Sequence, residues 1–274
     1  MTELREHGFD IVLRDGRRRR ATLLHGEAWG EMSPLPGYDC EPEAARMAAT
    51  EAAFGEWPAP IRTSIPVNAL VDSDVIDAEA LRGYSTIKIK VGDAGDIDRV
   101  ARVRDVVGAS VALRVDANGA WDEATAIERI AAMARFDLEY AEEPVHGLDA
   151  LARVRRAVDV PIAADESIRG LTDALTVRAR DAVDLIVLKV QPCGGVHEAL
   201  RWADAAGVPA VVTSMMETSI GIRAGVALAA ALPELPYACG LATATALVHD
   251  AVVDPLVALD GAIPVRDVTV RISE

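Results

Sequence analysis

Lysine is almost absent from this sequence. The chain has three lysines, so arginine supplies 25 of its 28 Lys and Arg residues. Lys88, Lys90 and Lys189 each lie in or beside an apolar, β-branched run. Arginine stays protonated in proteins, whereas the pKa of a lysine can fall far enough for the amine to act as a base. The retention of lysine at these three positions therefore indicates a chemical role.

Cysteine, long apolar runs and net positive charge are also scarce. The three cysteines have no CxxC spacing and indicate no disulfide framework. No apolar run approaches the roughly 18 residues that span a bilayer, and the N-terminus lacks the apolar core of a signal peptide. The net charge of −15 argues against binding to nucleic acid or acidic membranes. We expect a cytoplasmic protein, in which the one basic run, Arg17 to Arg20, forms a solvated hairpin.

A GxGxxG dinucleotide-binding turn is missing, but a strand and helix repeat is present. From about residue 63, short β-branched runs alternate with Ala/Leu/Arg-rich stretches, and this rhythm favours a closed parallel (β/α) barrel over an open sheet. In such a barrel the carboxyl ends of all strands surround one mouth. The runs are SIPVNAL, STIKIKV, SVALRVD, LEYAEE, VPIAAD, VDLIVLK, VPAVVTS and PYACGL. Polar or small residues end seven of them at intervals of 23 to 26 residues: Lys90, Asp116, Glu142, Asp165, Lys189, Ser214 and Gly240.

Residues 1–62 break this rhythm and predict a small α+β capping domain. They contain alternating segments (FDIVLR and ATLLHGEAWG), a Pro/Gly-rich loop (SPLPGYD) and a helical stretch from Glu41 to Phe54. The C-terminal segment 255–274 is expected to join this cap, because its tail (PVRDVTVRI) alternates like an exposed strand. The barrel domain is then predicted to span residues 63–254.

Three carboxylates follow three consecutive predicted strands: Asp116, Glu142 and Asp165. One oxygen ligand from each of three rigid strands is suited to a hard divalent cation such as Mg²⁺. A single aspartate in this position is equally well explained as the N-cap of the next helix. Three in succession, with lysines on either flank, favour a metal site.

Two neighbouring carboxylates complicate the ligand set. Side chains alternate across a strand, so Glu142 and Glu143 point to opposite faces, and periodicity does not decide which face is inward. Glu166 raises the same question beside Asp165 and is also a candidate hydrogen-bonding partner of the ligands.

The lysine pattern predicts acid–base chemistry. Lys88 and Lys90 are two apart on one strand and point to the same face. Neighbouring ammonium groups disfavour each other's charge, which would lower the pKa of one of them toward neutrality. Lys189 is four strands away, so a metal between two cationic walls would stabilise an enolate formed next to a carboxylate. The alternative is a buried salt-bridge network with the carboxylates, which would raise the lysine pKa values.

These motifs together resemble the enolase superfamily. The resemblance implies an enolase-type (β/α)7β TIM-like barrel with a small, shortened α+β capping domain, since the family's cap is usually longer than 62 residues. The segments that carry it are IKIKVG at 87–92, LRVDANGAW at 113–121, EEP at 142–144, ADES at 164–167 and LKVQPCGG at 188–195.

The resemblance also implies residue roles. The metal, Mg²⁺ with Mn²⁺ as a substitute, would be bound by Asp116, Glu142 and Asp165. Lys90 would be the acid/base, Lys88 its pKa modulator and Lys189 the opposing cation. Asn118 and Arg114 would lie beside the metal ligands. Ser214 and Gly240, at the ends of the seventh and eighth runs, are expected to contact the substrate.

A closer likeness is to the actinobacterial o-succinylbenzoate synthases of menaquinone biosynthesis. It rests on GEAWGEMSPLPGY in the cap, ETSIGI at 217–222 and LPYACGLAT at 235–243. It implies that Lys90 removes the α-proton of a succinyl-hydroxycyclohexadiene carboxylate and returns it to the departing hydroxyl, a syn dehydration through an enediolate. The expected partner is thus a small carboxylate, and no oligomeric state is predicted.

Other readings remain open at this point. An N-succinylamino acid racemase or dipeptide epimerase of the same superfamily would use the same lysines as two bases. A sugar-acid dehydratase is less favoured, because no histidine lies at the end of the sixth or seventh run. A non-catalytic barrel would have no reason to retain three lysines.

Overall fold

The computed structural model describes residues 3–271. The strands are β1 (Arg5–Val12), β2 (Arg18–His25), β3 (Trp29–Met32), β4 (Ser64–Pro66), β5 (Ala69–Val71), β6 (Thr86–Lys90), β7 (Ala112–Asp116), β8 (Leu138–Glu142), β9 (Ile162–Ala164), β10 (Leu185–Leu188), β11 (Ala210–Val212) and β12 (Ala262–Pro264). The helices are α1 (Pro42–Phe54), α2 (Asp96–Val107), α3 (Glu123–Met133), α4 (Leu148–Ala157), α5 (Leu171–Arg180), α6 (Val190–Cys193), α7 (Val196–Ala206) and α8 (Ser219–Ala231). No helix between residues 3 and 271 has both the length and the apolar character needed to cross a membrane.

The described chain forms two compact units. The first comprises Met1–Pro66, Leu188–Trp202 and Val211–Glu274, and the second Val67–Val187 and Ala203–Ala210. The predicted boundary near residue 62 concerns a different division, into cap and barrel, and stays a prediction.

Parallel strands and helices alternate from β5 onward, as the repeat predicts. Seven strands form one sheet in the order β11-β10-β9-β8-β7-β6-β5, and the pairs from β5 to β10 are parallel. The eighth predicted run is not a strand among the described residues. Gly240 forms an isolated parallel bridge with Thr213. The Cys239 N–H donates to the Pro66 oxygen (2.7 Å), and the Gly240 N–H donates to the Val212 oxygen (2.9 Å).

Alternation on β6 explains how charged residues enter this sheet. Ile87 and Ile89 are fully buried on one face, so Lys88 and Lys90 share the other. Helix α3 buries Ala126, Ile130 and Met133. The helix ends there, and the exposed Ala134 begins a short 3₁₀ turn.

The N-terminal residues form a three-stranded antiparallel sheet, β1-β2-β3, that packs on α1. A glycine is required at the contact, since a Cβ on Gly30 would lie 1.8 Å from the Ala49 oxygen. The basic run in the β1–β2 hairpin is not wholly solvated. The Arg19 side chain is partly buried and donates from Nη2 to the Met215 and Met216 oxygens at 2.7 and 2.8 Å.

Helix α1 also supplies the N-terminal cap of α7. The Glu51 carboxylate accepts hydrogen bonds from the Val196 N–H (2.5 Å) and the His197 N–H (3.1 Å). A side chain on Gly195 would collide with it, because a Cβ there would lie 2.1 Å from Glu51 Oε2. The carboxylate satisfies N–H groups that have no partner within the helix.

The C-terminal tail is less regular than its alternation predicts. Pro264 ends β12, which pairs with β4, and Val270 makes a single bridge with Val252. Val268 and Val270 nevertheless pack against a buried cluster that includes Leu23 of β2, and the assignment of this segment to the cap stays a prediction. Ile272, the end of the predicted strand, lies outside the described residues.

Candidate active site

Three neighbouring parallel strands arrange the lysines and carboxylates of the second unit in two layers. Residues in register on β6, β7 and β8 face the same way. On each strand, side chains two apart also share a face. The layers are Lys88, Arg114 and Tyr140 and, two residues nearer the carboxyl ends, Lys90, Asp116 and Glu142.

Both lysines of β6 reach the same carboxylate. Lys88 Nζ lies 2.8 Å from Asp116 Oδ2 and donates to Glu142 Oε1 at 2.6 Å. Lys90 Nζ donates to Asp116 Oδ2 at 2.6 Å and to Asn118 Oδ1 at 2.6 Å. Lys88 is buried, whereas about a third of the Lys90 side chain is exposed (34%). Lys90 is therefore the more accessible of the two amines.

The pKa of Lys88 is raised, which is the direction that the alternative of a buried salt-bridge network predicts. Burial alone would lower its pKa, but the Asp116 and Glu142 carboxylates outweigh that effect. Burial likewise opposes the charge of Asp116, yet the two ammonium groups hold its pKa well below the usual value. Sequence spacing reveals that the two lysines are neighbours. Their pairing with carboxylates joins positions far apart in the chain, since Asp116 is 26 residues from Lys90 and Glu142 is 54 residues from Lys88.

Asn118 connects this cluster to Glu166. Its backbone has a φ of 45°, a left-handed conformation that asparagine tolerates. Its N–H donates to Asp116 Oδ1 (3.0 Å), and its Nδ2 donates to Glu166 Oε1 (2.8 Å). The structure therefore places Asn118 beside Lys90, and Glu166 one hydrogen bond farther out.

Glu143 occupies a different environment from Glu142. Its carboxylate accepts hydrogen bonds from the Asp165 N–H (2.8 Å) and from the Ser167 hydroxyl. Burial raises the pKa of Glu143 to about 8. Glu143 thus holds the chain at Asp165, whereas Glu142 faces Lys88, and this supports Glu142 as the ligand candidate.

Arg114 lies below the charged layer. Its guanidinium is fully buried and donates to Glu139 Oε2 at 2.5 Å and to the Tyr140 hydroxyl at 2.7 Å. Its contacts are thus with β8 side chains, and the pKa of Arg114 is raised, since Tyr140 and Glu139 outweigh the effect of burial.

The donor set has the right chemistry for a hard divalent cation. Asp116, Glu142 and Asp165 are buried carboxylates on three adjacent strands or at their ends. Among residues 3–271, however, no three His, Cys, Asp or Glu side chains are grouped as a metal site. Like charges stay apart unless a cation neutralises them, and in this arrangement ammonium groups do so. The residues fit a metal, and the ligand assignment stays a prediction.

Lys189 lies in the first unit and has an aromatic neighbour. It precedes α6 and is buried, with 8% of its surface exposed. Its Nζ lies 4.3 Å from the centre of the Tyr38 ring. Ser214 and Gly240 are brought together in the same unit, because the Ser214 N–H donates to the Gly240 oxygen at 3.0 Å.

A buried polar network in the first unit escapes sequence analysis. The Glu31 carboxylate accepts hydrogen bonds from Ser33 Oγ (2.6 Å) and from the N–H (3.2 Å) and hydroxyl of Thr218. Gln191 donates from Nε2 to Glu217 Oε1 (3.1 Å) and accepts from the Ser33 N–H (2.8 Å). The network joins the segments GEAWGEMSPLPGY, LKVQPCGG and ETSIGI. The feature of the sequence that could have indicated it is the presence of polar residues beside apolar ones in these segments.

The two buried glutamates have raised pKa values. Burial, and then repulsion from Glu217, raises the pKa of Glu31 to about 7. Burial also raises the pKa of Glu217. The hydroxyl, amide and backbone donors, together with the Arg19 guanidinium near Glu217, therefore do not offset burial here as the lysines do beside Asp116.

Known proteins are similar to this chain in sequence. The family described as enolase C-terminal domain-like matches residues 74–269. The o-succinylbenzoate synthase of Thermobifida fusca (strain YX) is 52% identical over 265 residues, covering 92% of this chain and 83% of that protein. The o-succinylbenzoate synthase of Mycobacterium leprae (strain TN) is 44% identical over 264 residues, covering 92% and 78%.

Solved structures confirm the fold class. The dipeptide epimerase of Enterococcus faecalis V583 has a TM-score of 0.85 at 24% identity, covering 98% of both chains. The muconate lactonizing enzyme of Pseudomonas fluorescens has a TM-score of 0.86 at 20% identity, covering 98% of this chain and 94% of that one. The expected barrel with a capping domain is therefore correct, and the chain belongs to the enolase superfamily, in the family of the o-succinylbenzoate synthases.

Proposed function

We propose that this chain is an o-succinylbenzoate synthase, a hydro-lyase that dehydrates a succinyl-hydroxycyclohexadiene carboxylate to an aromatic product. The observation that carries the proposal is the 52% identity to a synthase over most of both chains. The contacts of Lys90 with Asp116 and Asn118 supply the chemical support, because a dehydration that begins at a carbon acid needs a positioned amine.

Lys90 is the proposed acid and base. In its neutral form the amine takes the α-proton of the substrate, and the electron pair moves toward the substrate carboxylate. The resulting ammonium then gives the proton to the hydroxyl that leaves on the same face, and water is released. Its exposed fraction and the anchoring of its Nζ by Asn118 favour this role, since a general base must reach its proton within hydrogen-bond distance.

Lys88 is the proposed charge partner of the carboxylates. It lies under Lys90 and holds Asp116 and Glu142. Lys189 is proposed to act as a fixed positive charge toward the enediolate. Ser214 and Gly240, which are joined by a backbone hydrogen bond, are proposed to contact the substrate.

The enolase superfamily uses a divalent metal, generally Mg²⁺. We assign its binding here to Asp116, Glu142 and Asp165, with Mn²⁺ as a substitute. When bound, the metal supplies positive charge where negative charge accumulates on the substrate carboxylate. Glu143 supports this set by fixing the backbone at Asp165.

The test measures aromatic product formation from the cyclohexadiene substrate by the purified chain. Activity should disappear on chelation and return with Mg²⁺ or Mn²⁺. Asp165→Asn should weaken Mg²⁺ binding measured by calorimetry, whereas Asp98→Asn, at an exposed position on α2, should leave it unchanged. Full turnover in a metal-stripped sample would contradict the metal assignment.

The same assay separates the synthase from a racemase. A panel of N-succinylamino acids in D₂O would be followed by NMR for exchange at the α-carbon. We expect a much larger kcat/KM for dehydration than for exchange. Racemisation more efficient than dehydration would overturn the proposed activity and leave the residue assignments intact.

A further inference from the structure

The ammonium group of Lys189 lies over the face of Tyr38. The distance from Nζ to the ring centre is 4.3 Å, inside the roughly 6 Å within which a ring attracts a cation. Lys189 is buried and Tyr38 is half-buried, so water screens this attraction only in part. Carboxylates are neighbours of Lys88, and an aromatic ring is one neighbour of Lys189.

The loop that carries Tyr38 is built to present the ring. The Tyr38 N–H donates to the Leu35 oxygen (3.1 Å), which closes a four-residue turn. Pro36 occupies the second position of the turn, and Gly37 the third with a φ of 88°. Proline followed by a residue with positive φ is the pattern of a type II turn. The sequence Leu-Pro-Gly-Tyr therefore specifies a rigid turn that ends at the aromatic residue.

The loop is fastened to the same short stretch of chain that carries Lys189. The Ser33 N–H, before the turn, donates to Gln191 Oε1 at 2.8 Å. Gln191 lies two residues after Lys189 in α6, and the Cys193 N–H closes that helix on the Lys189 oxygen (3.3 Å). Ring and ammonium are thus positioned by two segments that are hydrogen-bonded to each other.

We propose that Tyr38 is a positioning residue that holds the ammonium group of Lys189 in place. A lysine side chain has a flexible four-carbon stem, and its ammonium forms no fixed fork of donors as arginine does. An aromatic face attracts the cation without accepting its proton. Tyr38 can thus restrict where the charge lies and leave Lys189 a cation for the enediolate. The kinetic consequence rests on the proposed function; the contact does not.

The first test reads the contact without any activity measurement. Because the chain has only three lysines, protein labelled with ¹³C at the lysine ε-carbon gives three side-chain NMR signals, and Lys189→Arg identifies one. The ring should shift the Lys189 ε-proton resonance upfield of free lysine. Tyr38→Phe, the matched control, should retain the shift, and Tyr38→Leu should abolish it while the Lys88 and Lys90 signals stay in place.

The contact is refuted when the Lys189 resonance of the wild type lies at the free-lysine position, or when Tyr38→Leu leaves an upfield shift unchanged. If the Tyr38→Leu variant does not fold, the chemical shift of Lys189 in the wild type decides the question alone. An upfield shift in a chain without synthase activity would refute the proposed function and leave the contact standing.

The second test reads the consequence for catalysis. Tyr38→Leu should lower kcat by about 10- to 100-fold, the range expected when a charged group is misplaced by about 1 Å, and should change KM far less. Tyr38→Phe, which retains the aromatic ring, should keep the wild-type kcat. In a Lys189→Met background, Tyr38→Leu should have no further effect on kcat, because the cation is gone. An equal fall in kcat in both backgrounds, or a change in KM alone, would show that Tyr38 does not act through Lys189.

Discussion

Two buried clusters treat the same chemical group in opposite ways. Beside β6, ammonium groups face Asp116 and lower the pKa of its carboxyl. In the first unit, Glu31 is surrounded by hydroxyl and backbone donors and repelled by Glu217, and its pKa rises to about 7. Burial penalises the charge of both carboxylates, so the neighbours decide the outcome. The difference separates a charged cluster suited to catalysis from a nearly neutral one suited to joining segments.

The largest expected effect comes from removing the titratable amine and keeping the charge of the first cluster. Lys90→Arg should lower kcat by more than the roughly 10²–10⁴-fold usual for loss of general acid–base catalysis, because arginine stays protonated. The product assay at saturating Mg²⁺ measures this. Arg82→Lys, the reverse exchange on the surface, serves as the control. A Lys90→Arg enzyme with a tenth of wild-type activity would remove Lys90 from its role.

Removing the buried ammonium should convert the first cluster into one with uncompensated anions. Lys88→Met is expected to lower the free energy of unfolding by about 3–5 kcal/mol, as when one partner of a buried ion pair is lost. Urea unfolding measures this, and added Mg²⁺ should recover part of the loss because it supplies charge to the same carboxylates.

The matched control for this variant is Arg82→Met. The Arg82 side chain is 75% exposed in its pair with Glu79, and such pairs contribute about 0–1 kcal/mol. Equal losses in the two variants would mean that the carboxylates near Lys88 are satisfied without it.

A smaller effect is expected at Lys189. Lys189→Arg keeps a cation, so dehydration should persist, with a loss of up to about 10²-fold from misplacement of the charge. The same variant should abolish any exchange that requires Lys189 as a second base. Retention of α-deuterium exchange in both enantiomers of an N-succinylamino acid would show that Lys189 is not a base in that side reaction, since Lys90 alone can exchange the proton on its own face.

The smallest effect concerns the pH dependence of the second cluster. The pKa of Glu31 is about 7 in the fold and 4.5 ordinarily, so its contribution to stability is fully present below pH 4.5 and is lost as the pH rises through about 7. Glu31→Gln should reduce this decline in urea unfolding followed across that range, and the raised pKa of Glu217 should account for the remainder. Glu79→Gln, at an exposed position, should keep it. A decline of the same size in Glu31→Gln would assign it to other groups.

The strand ends were predictable from the sequence because they depend on local patterns. β6, β7 and β8 end at Lys90, Asp116 and Glu142 as the intervals indicate. β9 and β10 end one residue before Asp165 and Lys189. Alternation with period two decides which side chains share a face, and the contacts of Lys88 and Lys90 with Asp116 and Glu142 follow from it.

The second cluster was not predictable in the same way. Ser33 bonds to Gln191 across 158 positions, and Thr218 to Glu31 across 187. Periodicity carries no information about which distant polar groups pair. The pKa of Lys88 also depends on distant groups, since carboxylates on two other strands outweigh the effect of its burial.

The cap that Glu51 provides for α7 has a consequence for the order in which the chain folds. The carboxylate and the Val196 N–H are 145 positions apart, and the first compact unit is assembled from three separate stretches. The second unit draws almost all its residues from Val67–Val187. During synthesis, Glu51 leaves the ribosome long before its partner helix exists, and joining such distant segments costs loop-closure entropy. We therefore expect the middle of the chain to become protected from hydrogen exchange first, with α1 protected only after α7 has formed.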